Sequence, residues 1–181
     1  GGVITSSNHV IEPGVVRNVG KRNRFTLGEA TPGKSQRAVM LHQALSGAGF
    51  DAQLVEDVRR PMWAKLARNA SSAPLCILTG AMSSHLAEDP AMQRLNRELM
   101  REVLAVAAGQ GFTELGLDPD AAAGDRSNRP QHKASMLQDL ERGRPLEIDA
   151  MLAAVQDLAR QSNVPTPVLD VLLPVMMVRA R

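Results

Sequence analysis

Aromatic side chains are nearly missing from this 181-residue chain, which has no Tyr, one Trp and three Phe. Proteins that hold single-stranded nucleic acid stack its bases on aromatic rings, and this sequence has few to offer. A core without rings must rest on Leu, Val, Ala and nine Met. Cysteine is scarcer still: a lone Cys76 excludes an internal disulfide and any multi-cysteine metal site. Between Leu75 and Ile77 it reads as a core thiol. No apolar run reaches the roughly 18 residues of a membrane span, and no basic-then-apolar leader opens the chain, so the cytoplasm is the expected compartment. Charge of one sign is lacking as well, with 21 basic and 19 acidic residues interspersed for a net +2. The most basic stretch, residues 17–24, reads as a solvated strand edge rather than a nucleic-acid face. His9, His42, His85 and His132 keep no ligand spacing, so no zinc site is expected. The serine-hydrolase elbow G-x-S-x-G is absent.

What is present begins with GEATPGKS at residues 28–35, which spells the phosphate-cradling loop G-x-x-x-x-G-K-S. Three features weigh against a nucleotide hydrolase. Pro32 removes a backbone donor from the arc that needs one. A polar run, Lys21-Arg22-Asn23-Arg24, leads into a strand that should be central and apolar. No alternation of strands and helices follows residue 60. The plainer reading is a strand end, a Pro-Gly turn and a helix N-cap at Ser35.

Short apolar runs at residues 3–5, 10–16 (broken by Pro13-Gly14) and 25–27 predict strands, followed by a helix over 35–48 and a strand over 52–55. From residue 58 the period becomes helical. Helices are expected over 58–79 (capped by Asp57, stopped by Gly80, kinked or broken at Pro74), 89–110, 119–123, 133–140, 146–161 and 168–178, with a loop at 127–130. The fold class is therefore α+β, mainly α. Residues 1–57 are the tail of an α/β unit and 58–181 an all-helical domain. The chain opens without Met and reads as a piece of something longer.

Among polar residues, Lys65 and Asn69 stand four apart on one helix face. Trp63 and Leu66 beside Lys65 imply partial desolvation, which would lower its pKa toward values useful in proton transfer. The plain alternative is a snorkelling surface lysine. Ser135 reads as a helix N-cap and Glu147 as a favourable charge in a first helical turn. Glu147 and Asp149, two apart on a helix, cannot share a face.

Taken in order, Trp63-Ala-Lys65-Leu-Ala-Arg-Asn69, Ser135-Met-Leu-Gln-Asp139, Gly143-Arg-Pro-Leu-Glu147-Ile-Asp149 and Val164-Pro-Thr-Pro167 resemble the carboxy-terminal half of the ketopantoate reductases (2-dehydropantoate 2-reductases). Gly28-Glu29 and Gly33 resemble the end of that family's nucleotide-binding domain. The resemblance implies the tail of a Rossmann-type domain followed by a helical domain like the carboxy-terminal one of 6-phosphogluconate dehydrogenase. It also implies NADPH-dependent reduction of a 2-oxo acid, ketopantoate to pantoate on the route to coenzyme A. Lys65 matches the catalytic lysine that protonates the carbonyl oxygen, and Glu147 the glutamate that positions it. Asn69 and Ser135 match groups that hold the substrate. An ammonium beside the carbonyl stabilises and then neutralises the alkoxide charge that develops there.

Two departures from the family pattern leave another 2-oxo acid open. Ala73 stands where the family has a second substrate-binding asparagine, and Leu152-Ala153 where it has Asn-Gly. The glycine-rich cofactor loop is not in these residues, so the piece alone is expected to bind NADPH weakly and to be inactive. A competing expectation is a non-catalytic helical interaction domain that dimerises through apolar faces such as 168–178, with Lys65 and Glu147 apart. Either reading allows a homodimer, and neither calls for nucleic acid, membrane or metal.

Overall fold

Proline and glycine punctuate the first third of the chain, and the strands lie between them. A computed structural model describes residues 1–6, 8–18, 23–122 and 133–180, which cluster into two units, Gly1–Met62 and Trp63–Arg181. The loop expected at 127–130, Ala123, His132, and Lys21 and Arg22 of the basic stretch lie outside the described residues.

In the first unit β1 (Gly2–Thr5), β4 (Arg24–Leu27) and β5 (Asp51–Leu54) form a sheet of order β1-β4-β5. β1 runs antiparallel to β4, and β5 parallel to it with Phe25 opposite Ala52. A parallel pair needs a crossover, supplied by helix α1 (Gln36–Gly47), so the strand, helix and strand read from the sequence form one βαβ unit. β2 (Asn8–Glu12) and β3 (Val15–Asn18) make a separate antiparallel hairpin turned at Pro13-Gly14, where Gly14 takes a φ of +82°.

The second unit is helical. Its elements are α2 (Arg59–Thr79, begun in the first unit), α3 (Ser83–Leu86), α4 (Pro90–Gly109), α5 (Pro119–Ala122), α6 (Ser135–Glu141), α7 (Ala154–Gln161) and α8 (Pro167–Arg179). Asp89 accepts from the N–H groups of Ala91 and Met92 at the head of α4, with Pro90 in the first turn where its missing N–H costs nothing. Small residues on the inner face of α2, among them Ala67, Ala70 and Ala73, let neighbouring backbones approach. Leu99, Val103 and Val106 of α4, Leu137 of α6 and Leu152 complete the contact. Trp63 of the core and Phe112 packed against it stand 6.3 Å apart. Cys76 is buried in this core without a disulfide.

Three local expectations are corrected. Of the kink or break expected at Pro74, the break does not occur, and α2 continues as one helix past it. Ser135 is the first residue of α6 rather than its cap, because Ala134 holds the cap position and offers no side-chain acceptor. The helix expected over 146–161 enters through a wider π turn, Asp149–Ala153, and Glu147 precedes that turn. α3 has no counterpart in the sequence reading.

Candidate active site

The phosphate-loop lookalike is closed by its own residues. Glu29 accepts from the Ser35 hydroxyl and from Arg37 Nε and Nη2 at 2.8 and 2.7 Å. Ser35 Oγ also caps α1, accepting from Ala38 N, and Gly33 N–H donates to the Glu56 carbonyl. The hydroxyl and amide a phosphate would need are thus committed, with a carboxylate held among them. Gly28 is required for close packing instead: a Cβ there would stand 2.8 Å from the Val55 carbonyl oxygen.

The four residues singled out in the sequence all fall in the second unit, on α2, on α6 and just before the π turn, three segments whose buried residues share one core. Lys65 and Asn69 lie on successive turns of α2, Lys65 exposed and Asn69 half-buried, as spacing by four requires. Ala67 and Ala70 of the same helix are buried beneath them. Ser135 is exposed at the start of α6, anchored by buried Met136 and Leu137. Glu147 is exposed just before the π turn, anchored by buried Ile148 and Leu152, and its carbonyl accepts from Met151 N at 3.0 Å. Each candidate therefore projects outward from a buried neighbour, which suits groups that must meet a ligand. Trp63, two residues away and so across the helix, turns into the core while Lys65 turns out. Ala73 is buried in the core and contributes no polar group.

Sequence reasoning missed a buried carboxylate. Glu102 of α4 is 9% exposed and accepts from Val168 N at 2.7 Å and Leu169 N at 2.9 Å, the orphan donors at the head of α8. Burial pushes its carboxyl above the usual range, against the opposing pull of those two bonds. A signal was available: Glu102 falls on the apolar stripe of Leu99, Val103 and Val106. Asn96, half-buried on α4, was missed too; its side-chain N–H donates to the Ser71 carbonyl on α2 at 3.0 Å. Among the described residues no group of three or more His, Cys, Asp or Glu could hold a metal ion, and no helix is long and apolar enough to cross a membrane.

The arrangement defines a helical domain that presents an outward-facing lysine and amide on one helix and an exposed serine and glutamate on two other segments. Residues 57–180 match the family model described as ketopantoate reductase PanE/ApbA, C terminal, and the chain belongs to that family. It is 39% identical over 175 residues to a 2-dehydropantoate 2-reductase of Mesorhizobium japonicum, a match that covers 96% of this chain and 52% of that relative. A 2-dehydropantoate 2-reductase of Archaeoglobus fulgidus is 28% identical over 158 residues, again with 52% of its length covered. Among solved structures, the 2-dehydropantoate 2-reductase of Geobacter metallireducens superposes with a TM-score of 0.88 at 28% identity, over 98% of this chain and 59% of the other. The chain thus spans about half the length of these relatives. The mainly helical fold with a Rossmann-like tail is that of their carboxy-terminal part.

Proposed function

We propose that this chain is the carboxy-terminal part of an NADPH-dependent 2-oxo acid reductase that converts ketopantoate or a related 2-oxo acid in the cytoplasm. Residues 1–57 are the end of its nucleotide-binding domain, and 58–181 its helical substrate and catalytic domain. The reading is carried by one observation: in a member of this family, Lys65 and Asn69 lie on one outward face of α2. Lys65 gives a proton to the carbonyl oxygen as its negative charge develops, and Glu147 orients that ammonium. Asn69 and Ser135 hold the substrate's hydroxyl and carboxylate groups. NADPH supplies the hydride, but no G-x-G-x-x-G loop for its phosphates stands in these 181 residues. The principal cofactor contacts therefore belong to a segment outside these residues, and the piece alone is inactive. Ala73, apolar and buried, favours a 2-oxo acid with less to hydrogen-bond than ketopantoate.

The test is NADPH oxidation by the chain expressed with the coding sequence upstream of Gly1. With ketopantoate as substrate, Lys65→Ala is expected to lower kcat by about 100-fold or more. Undiminished turnover in that variant would sink the assignment. Cofactor binding without turnover of ketopantoate would move the search to 2-oxo acids lacking its hydroxyl.

A second reading adds to the first. α8 is apolar on both sides, with Leu169, Leu173 and Met176 inward and Val171, Val175 and Val178 outward at 66%, 47% and 68% exposure. A helix apolar all round is normally covered on every side. That outer stripe is self-complementary when two copies run antiparallel, and it supports a homodimer.

A further inference from the structure

Pro74 lies inside α2, where its nitrogen has no hydrogen for the carbonyl four residues back and its ring crowds the preceding turn. A helix that continues through such a point needs other donors for the carbonyls it loosens. Around Pro74 several carbonyls accept from side chains. The Arg68 carbonyl accepts from Ser71 Oγ at 3.1 Å and Ser72 Oγ at 2.9 Å, and the Leu75 carbonyl from Thr79 Oγ1 at 2.6 Å. Such back-bonding by hydroxyls bends helices. The Ser71 carbonyl, whose ladder partner would be the amide just after Pro74, accepts from Asn96 Nδ2 at 3.0 Å. Of these four donors, Asn96 alone belongs to another element. It also borders a cavity of about 20 Å³ shared with Ser72, Ser83, Met92 and Gln93, room for one water.

Lys65 and Asn69 lie in the turns before Pro74, and buried Cys76 and Ile77 anchor the turn after it. We propose that Asn96 is a positioning residue for the reaction: by holding the Ser71 carbonyl where Pro74 interrupts α2, it fixes the direction in which the first half of that helix carries Lys65 and Asn69. This rests on the reading of Lys65 as proton donor. A neutral amide suits the task. An aspartate of the same shape has no hydrogen to give and sets a negative charge against the carbonyl, and an alanine leaves the carbonyl to water.

The experiment is a double-mutant cycle on the chain expressed with its upstream coding sequence. Asn96→Asp and Asn96→Ala are each made alone and with Pro74→Ala, with Lys65→Ala as reference, and kinetics are measured beside denaturant midpoints. The expected result is a kcat lowered roughly tenfold or more by each Asn96 variant, with KM for NADPH unchanged. In the Pro74→Ala background, where the Ala70 carbonyl regains its amide and the relaxed turn lets the Leu75 amide serve the Ser71 carbonyl, the same substitutions should lower kcat by no more than about twofold. Should Pro74→Ala itself be inactive, the cycle is read in the midpoints, where the Asn96 effect must be smaller in that background. The proposal is overturned if Asn96→Asp keeps kcat near that of the parent while Lys65→Ala has lost it. It is equally overturned if the Asn96 effect is undiminished beside Pro74→Ala. Full turnover in Lys65→Ala would overturn the site assignment itself, and this inference with it.

Discussion

Two glutamates of this chain answer acid in opposite ways, and the difference lies in what surrounds each carboxyl. The Arg37 guanidinium and the Ser35 hydroxyl hold Glu29 at about 2, below its ordinary 4.5. Its contribution is therefore complete above pH 4.5 and is lost as the pH falls toward 2. Glu29→Gln should flatten the acid limb of an unfolding-against-pH curve over that window. Glu102 is shifted the other way by burial. The folded state binds its proton more tightly than the unfolded chain, so its contribution is fullest below 4.5 and declines as the pH rises through the higher folded value. Measured against Glu102→Gln, the wild type should lose relative stability on that rise. Glu102→Ala leaves two amides of α8 without an acceptor, and should cost about 2 kcal/mol near neutral pH by denaturant unfolding. At this scale the sequence was read unevenly. The cap at Ser35 was legible because capping is local, a side chain answering an amide three residues on. Glu102 answers amides more than sixty residues away, which no window of sequence displays.

Elements were legible where periodicity and punctuation agreed. α4, with Asp89-Pro90 before it and Gly111 at a φ of +86° after it, matches its expected limits within a residue. The βαβ unit was legible for the same reason, since Gly28 follows β4 and Gly49 precedes β5. The π turn was not, because the run from Glu147 to Ala153 has the same apolar spacing in either helix form. At Pro74 the expected break does not occur, and the nearby Ser71 carbonyl takes a donor from Asn96, a residue of a different helix that no local window includes. Where elements touch closely the tolerance is small. A Cβ at Gly109 would meet Ser162 Cβ at 2.8 Å, beside the Gln110 to Ser162 side-chain bond that joins the ends of α4 and α7. Gly109→Ala should therefore lower stability by about 1–3 kcal/mol, seen as a shifted denaturant midpoint at constant slope.

For the whole molecule, the outer stripe of α8 sets the expectation for assembly. Glutamate at both Val171 and Val175 places charge on it without touching the inward Leu169, Leu173 and Met176. If the stripe joins two copies, sedimentation should show the wild type as a dimer and the double variant as a monomer with unchanged helix content; a monomeric wild type would refute the dimer. One stripe covers less than the roughly 800 Å² per partner of a standard interface, so this association should be weak and concentration-dependent. The burial of the lone thiol has a practical outcome of its own. Cys76 is fully enclosed in the helical core, next to the Pro74 segment, and there is no second cysteine to confuse its signal. A maleimide or disulfide reagent can react with this protein only when that core opens, so its labelling rate is a built-in clock for opening of the second unit. Run on the Asn96 and Gly109 variants, the clock would show which contacts keep the helices shut while the protein still looks folded.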